Sequence, residues 1–451
     1  MSTPNTYETS AWDEPWISYN GNVTVNIHFP PGVYRVPQTI TGYVGTSPTP
    51  NGGADFMGGQ NLSPAAGQLA EEYFIGPSGF SVANASCASY FARFEVTFPP
   101  VAFTLFGGLN GGGDAGVRPL GDTWTWNGSQ WTAAPLVELG LPPFAFVDAP
   151  SARYGMTVAV AGGSPFFYGG AEGYGPGDAS VVYDNDFWQW DGIEWAAKHW
   201  PCVGTDVSPT CIPPIPSGRA YATFVALPNR PRPDAGAVDE IVMFGGVGHV
   251  HADGSLDPND VALDDTWIWD GTSWNEQFPQ HSPPARWGAA AAALNGGVVV
   301  FGGTADGKTP LGDMWRWDDD AKDWRSISPA GPGPSPRSLA AAGAIGNSVV
   351  VFGGTDGVQD LGDTWLWNGA VWTQAVGPGP SPRWSAGIGA FDVPSPSLLL
   401  FGGFSESGAT AGFANAALGD FWSWNGSTWQ ELPEIGDSFP SPRGAAAVGA
   451  R

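Results

Sequence analysis

Apolar positions in this chain fall into short strand-length runs rather than helical stripes. VVVFGG (298–303) is a continuous β-branched run closed by two glycines. GDTWLWNGAVW (362–372) alternates instead, with Trp365 and Trp367 two apart and Trp372 beyond a polar break. Residues two apart share one face of a strand, so the first run predicts a buried strand and the second a strand, a hairpin and an outer strand. RWGAAAAAL (286–294) predicts a third kind of strand, one with almost uniformly tiny side chains. Helical periodicity is nearly absent, and the expected fold is all-β.

The three patterns return in a fixed order. An Arg precedes each small-residue run, at Arg153, Arg219, Arg286, Arg337, Arg383 and Arg443. Phe106, Tyr168, Phe244, Phe301, Phe352 and Phe401 each precede Gly-Gly. Asp122, Asp186, Asp265, Asp313, Asp363 and Asp420 then lead six W-x-W runs, whose second tryptophans are Trp126, Trp190, Trp269, Trp317, Trp367 and Trp424. These runs absorb most of the 23 tryptophans, which makes tryptophan a repeat element rather than a ligand platform. A period of roughly 50 to 75 residues marks stacked supersecondary units.

Each pattern has a physical task. Tiny side chains suit an innermost strand where units crowd an axis. Gly-Gly permits a turn with positive φ. The W-x-W rings fill the space between neighbouring units, and the Asn-Gly or Asp-Gly that follows is a two-residue hairpin signal. Sixfold recurrence assigns the Arg and Asp positions to ion pairing and backbone satisfaction, since a catalytic site breaks symmetry where a scaffold keeps it. On these residues 101–451 resembles the kelch repeats of four-stranded propeller blades. That resemblance implies a six-bladed β-propeller. The first FGG lacks a small-residue strand before it, and PSPRGAAAVGAR (440–451) lacks a second strand after it, so the C-terminal strand is expected to complete the first blade. Closure of this kind removes exposed edges.

Residues 1–100 hold no clean repeat. NVTVNIHF (22–29), QTITGYV (38–44) and YFARFEVTF (90–98) alternate like half-buried strands, which predicts a separate N-terminal β domain for docking. A degenerate seventh blade is the alternative, because FMGG followed by EEYFIGPSGF mimics the repeat order without its tryptophans.

Charge narrows the partners. The net charge of −26, from 43 acidic and 17 basic residues, excludes nucleic acid, which requires clustered Lys and Arg. There is no apolar run long enough to insert in a membrane. The first residues, MSTPNTYETSAWDEPW, have neither a basic nor an apolar leader segment. The expected setting is extracellular, a cell surface or a virus particle, with the cytoplasm as the alternative.

Candidate chemistry is thin. Cys202 and Cys211 bracket an eight-residue loop and are expected to form a disulfide, with free thiols as the alternative. In HVHADGSLDPND (249–260), His249, His251, Asp253, Asp257 and Asp260 form the candidate binding segment, and His249, His251 and Asp253 are weak ligands for a divalent cation. Their spacing is not that of an EF-hand loop. Serine-hydrolase, zinc-protease and phosphate-loop signatures are missing, and no catalytic residue is assigned. No cofactor is expected beyond such a cation.

The leading functional expectation is a non-catalytic binding, attachment or structural protein that displays a propeller and recognises protein or glycan, with residues 1–100 joining it to a larger assembly such as a phage tail or capsid. An enzyme of sugar or small-molecule chemistry is the alternative. Loop lengths point to one face. The connections 107–122, 169–186, 245–265 and 402–420 exceed what a turn requires, and such loops carry function.

Overall fold

A computed structural model describes residues 102–111, 117–134, 149–173, 181–192, 195–198, 215–232, 236–250, 256–392, 395–405, 417–434 and 439–450, together with the backbone of seven strands before them. The side chains of 229, 231–232, 236–238, 250, 256–259 and 450 are outside this description. The chain divides into two compact units, Met1–Pro100 and Val101–Arg451.

In the first unit, antiparallel strands Thr6–Ser10, Phe91–Thr97, Thr39–Gly45 and Phe56–Leu62 lie side by side in that order. Val23–His28, Gly79–Asn84 and Tyr73–Gly76 form a second sheet. A propeller blade is a meander of consecutive strands. Here the last strand of the unit lies between the first and the third, so the unit is not a degenerate seventh blade.

The second unit is six four-stranded antiparallel blades. Blade 2 contains Thr157–Ala161, Ser164–Tyr168, Phe187–Trp190 and Trp195–Ala197 in spatial as well as chain order. Blades 3 to 6 follow the same order, starting from Thr223–Arg232, Ala290–Leu294, Ala341–Ile345 and Gly387–Phe391. Blade 1 is built from both ends of the unit: Ala447–Ala450 pairs with Phe103–Phe106, with Ala447 opposite Phe106 and Val448 opposite Leu105. Thr123–Trp126 and Trp131–Ala133 complete it. Ring closure thus occurs as expected, and it hides the edge of each terminal strand.

The tryptophans divide their work more finely than the sequence suggests. The second and third of each run pair within their blade, with ring centroids 5.2–5.8 Å apart. The third also packs on the Gly-Gly aromatic of the preceding blade: Trp195 on Phe106, Trp274 on Tyr168, Trp324 on Phe244, Trp372 on Phe301, Trp429 on Phe352 and Trp131 on Phe401, at 5.0–5.7 Å. Such contacts add about 0.5–1.5 kcal/mol each beyond the area they bury. The first tryptophan of each run serves instead as a hydrogen-bond donor to the Asp two residues before it.

The hairpin after W-x-W also differs from expectation. Trp126 pairs directly with Trp131, and Asn127 N–H donates to Gln130 O across the Gly128–Ser129 tip, without the reciprocal backbone bond of a fully closed two-residue turn. Asn127 Oδ1 accepts the backbone N–H groups of Ser129 and Gln130. Asp270 does the same for Thr272 and Ser273, and Asn425 for Ser427 and Thr428. The short polar side chain replaces a backbone carbonyl in the turn, which is why Asn or Asp stands there.

Candidate functional site

The repeated Arg is the joint between blades. Its backbone belongs to one blade and its side chain to the next. Gly108 N–H donates to the Arg153 carbonyl and Arg153 N–H to Leu120 O, both in blade 1. The Arg153 guanidinium instead reaches Gly169 O and Asp186 in blade 2. The other five arginines repeat this arrangement, and all six pair with their Asp at 2.5–2.6 Å. All six are at most 3% exposed, so each needs both its carboxylate and its carbonyl partners. The same joint explains the first glycine of Gly-Gly. A Cβ on Gly107, Gly169, Gly245, Gly302, Gly353 or Gly402 would stand 2.2–2.6 Å from the carbonyl of the Arg whose side chain enters the next blade.

Two residues beyond each Arg the chain enters the left-handed region, at Gly155, Tyr221, Gly288, Leu339, Ser385 and Ala445, with φ between 49° and 64°. These six residues hydrogen-bond to one another in a closed circle around the axis. Tyr221 N–H donates to Gly155 O, Gly288 to Tyr221, Leu339 to Gly288, Ser385 to Leu339, Ala445 to Ser385 and Gly155 to Ala445, at 2.7–3.0 Å. Nothing in the sequence marks this ring, since four of its members are not glycine.

The ring borders an axial cavity of about 190 Å³, walled by the first strands of all six blades. Its lining is mostly Ala, Gly, Val and Thr, with Met156, Tyr221, Phe224, Leu339 and Ile388, and without a carboxylate, ammonium, guanidinium or imidazole. The cavity is smaller than a usual small-molecule pocket. Around its mouth, on the face where second strands end, stand half-buried Tyr221, Trp287 and Trp384 over buried Tyr154 and Phe404. Tyr221 and Trp287 rings are 5.6 Å apart, and Trp384 and Phe404 rings 4.7 Å.

The loops between second and third strands rise from this same face. In blade 3, Val247–Val250 pairs with Leu256–Ala262 as an added hairpin; in blade 2, Ala171–Glu172 pairs with Val182–Tyr183. The structure brings together three side chains from these two hairpins. Asp260 Oδ1 accepts the Tyr183 hydroxyl at 2.8 Å and lies 3.3 Å from His249 Nε2. The Tyr183 and His249 rings meet edge to face at 4.9 Å. Burial and the Asp260 carboxylate push the Tyr183 phenol well above its ordinary range. His251 and Asp253, the side chain of Asp257, and the Cys202–Cys211 segment lie outside the described residues. Among the described residues no group of three or more His, Cys, Asp or Glu is arranged to hold a metal ion.

Sequence reasoning missed Asp184. It occupies the position held by Leu120, Leu263, Leu311, Leu361 and Leu418 in the other blades, two residues before the joint Asp. Its Oδ2 is buried 3.1 Å from Arg153 Nη1 without hydrogen-bond geometry, and Glu172 lies 3.7 Å from the same guanidinium. Burial, opposed by Arg153 and assisted by Asp186 and Glu172, raises the Asp184 carboxyl to about 6. Aligning the six repeats by their joint Asp would have exposed this carboxylate among leucines.

The opposite face is made mostly of tight turns. Its exception is the long blade 3 hairpin of Thr223–Arg232 and Gly236–Phe244, from which Arg230 reaches Gly296 O and pairs with Asp319 of blade 4.

Comparison with known proteins agrees with the geometry. Residues 235–450 match the KLHDC2/KLHL20/DRC7 Kelch-repeats domain. An F-box/kelch-repeat protein of Arabidopsis thaliana is 28% identical over 218 residues, which is 46% of this chain and 38% of that protein. The chain therefore aligns with well under half the length of this curated relative. With six closed blades, six Arg–Asp joints and these matches in hand, the unit Val101–Arg451 is a six-bladed β-propeller whose repeats are similar to kelch repeats.

Proposed function

We propose that the protein is a protein-binding scaffold that engages its partner through the face bearing the loops between second and third strands. The observation that carries this reading is the mouth of the propeller. An uncharged axial cavity opens there through a collar of half-buried tyrosine and tryptophan. Large amphipathic rings of this kind are what protein interfaces use as anchors. Hairpins built on blades 2 and 3 stand beside the collar and add contact area. Kelch-type relatives support a binding role for the fold, while the choice of face rests on this structure.

Attachment to a cell surface or virus particle is the finer form of the proposal. Its support is the separate N-terminal β unit, which can dock the propeller to a larger body.

Quantitative co-purification from the native source tests the main reading. One variant shortens 249–260 to a turn and carries Trp287→Ser; another carries Asp320→Lys and Asp392→Lys on the turn face. Both should melt near the parent. The reading requires that the first lose partners the parent recovers and that the second keep them. Identical recovery by all three overturns it.

A further inference from the structure

Both faces of the propeller are acidic, and the six joint arginines do not offset this because each is buried on its own Asp. Among the described residues the turn face sets Asp191, Asp239, Glu240, Asp270, Asp318, Asp319, Asp320, Asp323 and Asp392 against Arg230, Arg316, Lys322 and Arg325, and these four cations bond to groups of that face. Arg230 and Lys322 pair with Asp319, Arg325 pairs with Asp318, and Arg316 donates to Asn295 O. The loops of the other face contain Glu172, Asp184, Asp260, Asp264, Asp306, Asp356 and Asp360, besides the joint Asp residues, against Arg118 and Lys308. These carboxylates surround the collar. Glu172 follows Ala171, which pairs with Tyr154; Asp306 lies in the turn whose first residue, Thr304, pairs with Trp287; Asp356 and Asp360 flank the corresponding turn of blade 5. Asp306 accepts the backbone N–H groups of Lys308 and Thr309, and Asp356 those of Val358 and Gln359, so both are held in the ionised form. Blades 2, 3 and 4 thus each set acidic side chains beside aromatic rings, and blade 5 adds Asp356 and Asp360 beside Ser338.

We propose that the loop face receives a cationic segment of a partner protein, with Lys or Arg side chains docking on Tyr221, Trp287 and Trp384 and pairing with the surrounding carboxylates. Both halves of the surface favour this chemistry. Aromatic faces attract ammonium and guanidinium groups, Arg most often. A field of one sign steers a partner of the opposite sign and repels its like. An acidic partner would meet these seven carboxylates with two described cations in the same loops to receive it. This inference rests on the loop face being the binding face.

Fluorescence anisotropy on the full chain tests it with three labelled peptides of equal length: oligo-arginine, oligo-glutamate and glycine-serine. Oligo-arginine is expected to bind, more weakly as salt rises, and the other two are not. Asp260→Lys with Asp360→Lys on the loop face should weaken oligo-arginine binding by about tenfold. Asp320→Lys with Asp392→Lys makes the same change in net charge on the turn face and should weaken it less than about twofold. Equal weakening by both pairs would mean attraction to the whole polyanion and would overturn the proposal. Binding of oligo-glutamate or the neutral peptide that the loop-face pair alters would also overturn it while leaving the loop face as the binding face. Failure of every peptide to respond to the loop-face pair would count against both.

Discussion

Blades 2 and 5 follow the same plan and differ at its centre. In blade 5, Arg337 grips both oxygens of Asp363, at 2.6 and 3.0 Å, and the position two before that Asp is Leu361. In blade 2, Arg153 bonds one oxygen of Asp186 and is crowded by Asp184 and Glu172. The backbone tasks of the two positions are identical: Leu361 O accepts Arg383 N–H, and Asp184 O accepts Arg219 N–H. A carbonyl can do this work beneath any side chain, so the repeat can change its chemistry here without losing its joint. Blade 5 keeps the leucine and joins its second and third strands by a short turn, whereas blade 2 carries a carboxylate beneath an added hairpin.

The largest expected effect is removal of the joint itself. Arg337→Ala strands Asp363 and leaves the Gly353 carbonyl without its guanidinium. Breaking a buried pair from one side costs about 3–5 kcal/mol. Arg153→Ala leaves Asp184, Asp186 and Glu172 together without their cation, so its loss should grow from pH 5 to pH 8 beyond that of Arg337→Ala. Urea unfolding at both pH values measures this. Losses under about 1 kcal/mol for either variant would mean that the joints are ornamental.

Exchanging the distinguishing residues comes next. Leu361→Asp should give blade 5 a second carboxylate on Arg337 and destabilise the protein by about 1–2 kcal/mol at neutral pH. Asp184→Leu should do the reverse in blade 2, giving a melting point above that of the parent. If both variants melt alike, the carboxylate is not what separates the two blades.

The pH dependence of Asp184→Leu sharpens the point. With its carboxyl raised from 3.8 to about 6, folded Asp184 holds a proton that the unfolded chain has released. Its contribution is therefore fully present below about pH 4 and is lost as pH rises through about 6. Partial solvent access reduces the expected change to about 1–2 kcal/mol. In blade 5 burial works to raise Asp363, but hydrogen bonds from Arg337 and Trp365 hold it below its ordinary range. That contribution has the opposite sign: it is present above about pH 4 and fades as pH falls. The stability gained by Asp184→Leu over the parent should thus increase between pH 4 and pH 7. A flat difference would refute the assignment.

Much of this architecture was legible because it repeats. Arg443 and Phe106 are far apart in the chain, yet a missing inner strand at one end and a surplus one at the other predicted their union. Tryptophan spacing gave the outer strands, although not the division of labour by which Trp365 bonds Asp363 while Trp372 reaches Phe301 in the preceding blade. Loop length pointed to one face, and the structure places the second-to-third-strand loops of blades 2 and 3 on it as added hairpins. The collar was not legible, because Tyr221, Trp287 and Trp384 belong to no shared residue type and converge only when the ring closes. Asp184 was hidden for the opposite reason: a single acidic residue means little until five leucines stand in its place.

The hydrogen-bonded ring is where blades 2 and 5 agree in shape but differ in residue, and it provides the smallest effects. Gly155 and Leu339 both have left-handed backbones, with φ of 64° and 56°. An L side chain there costs roughly 1–2 kcal/mol. At Gly155 a Cβ would also come within 2.9 Å of the Tyr221 ring. Gly155→Ala should therefore destabilise by about 1–2 kcal/mol, even though alanine restricts the unfolded chain. Ser385, in blade 6, tests the converse without a large side chain to lose. Its φ is 49°, and its buried hydroxyl has no hydrogen-bond partner. Ser385→Gly removes both costs, and the extra freedom of unfolded glycine takes back part of the gain, leaving about 0.5–1 kcal/mol of added stability. The backbone bonds from Ser385 N–H to Leu339 O and from Ala445 N–H to Ser385 O remain available to glycine. Thermal melting should place the three proteins in the order Ser385→Gly, parent, Gly155→Ala, and the reverse order would show that the ring is not strained at its non-glycine members.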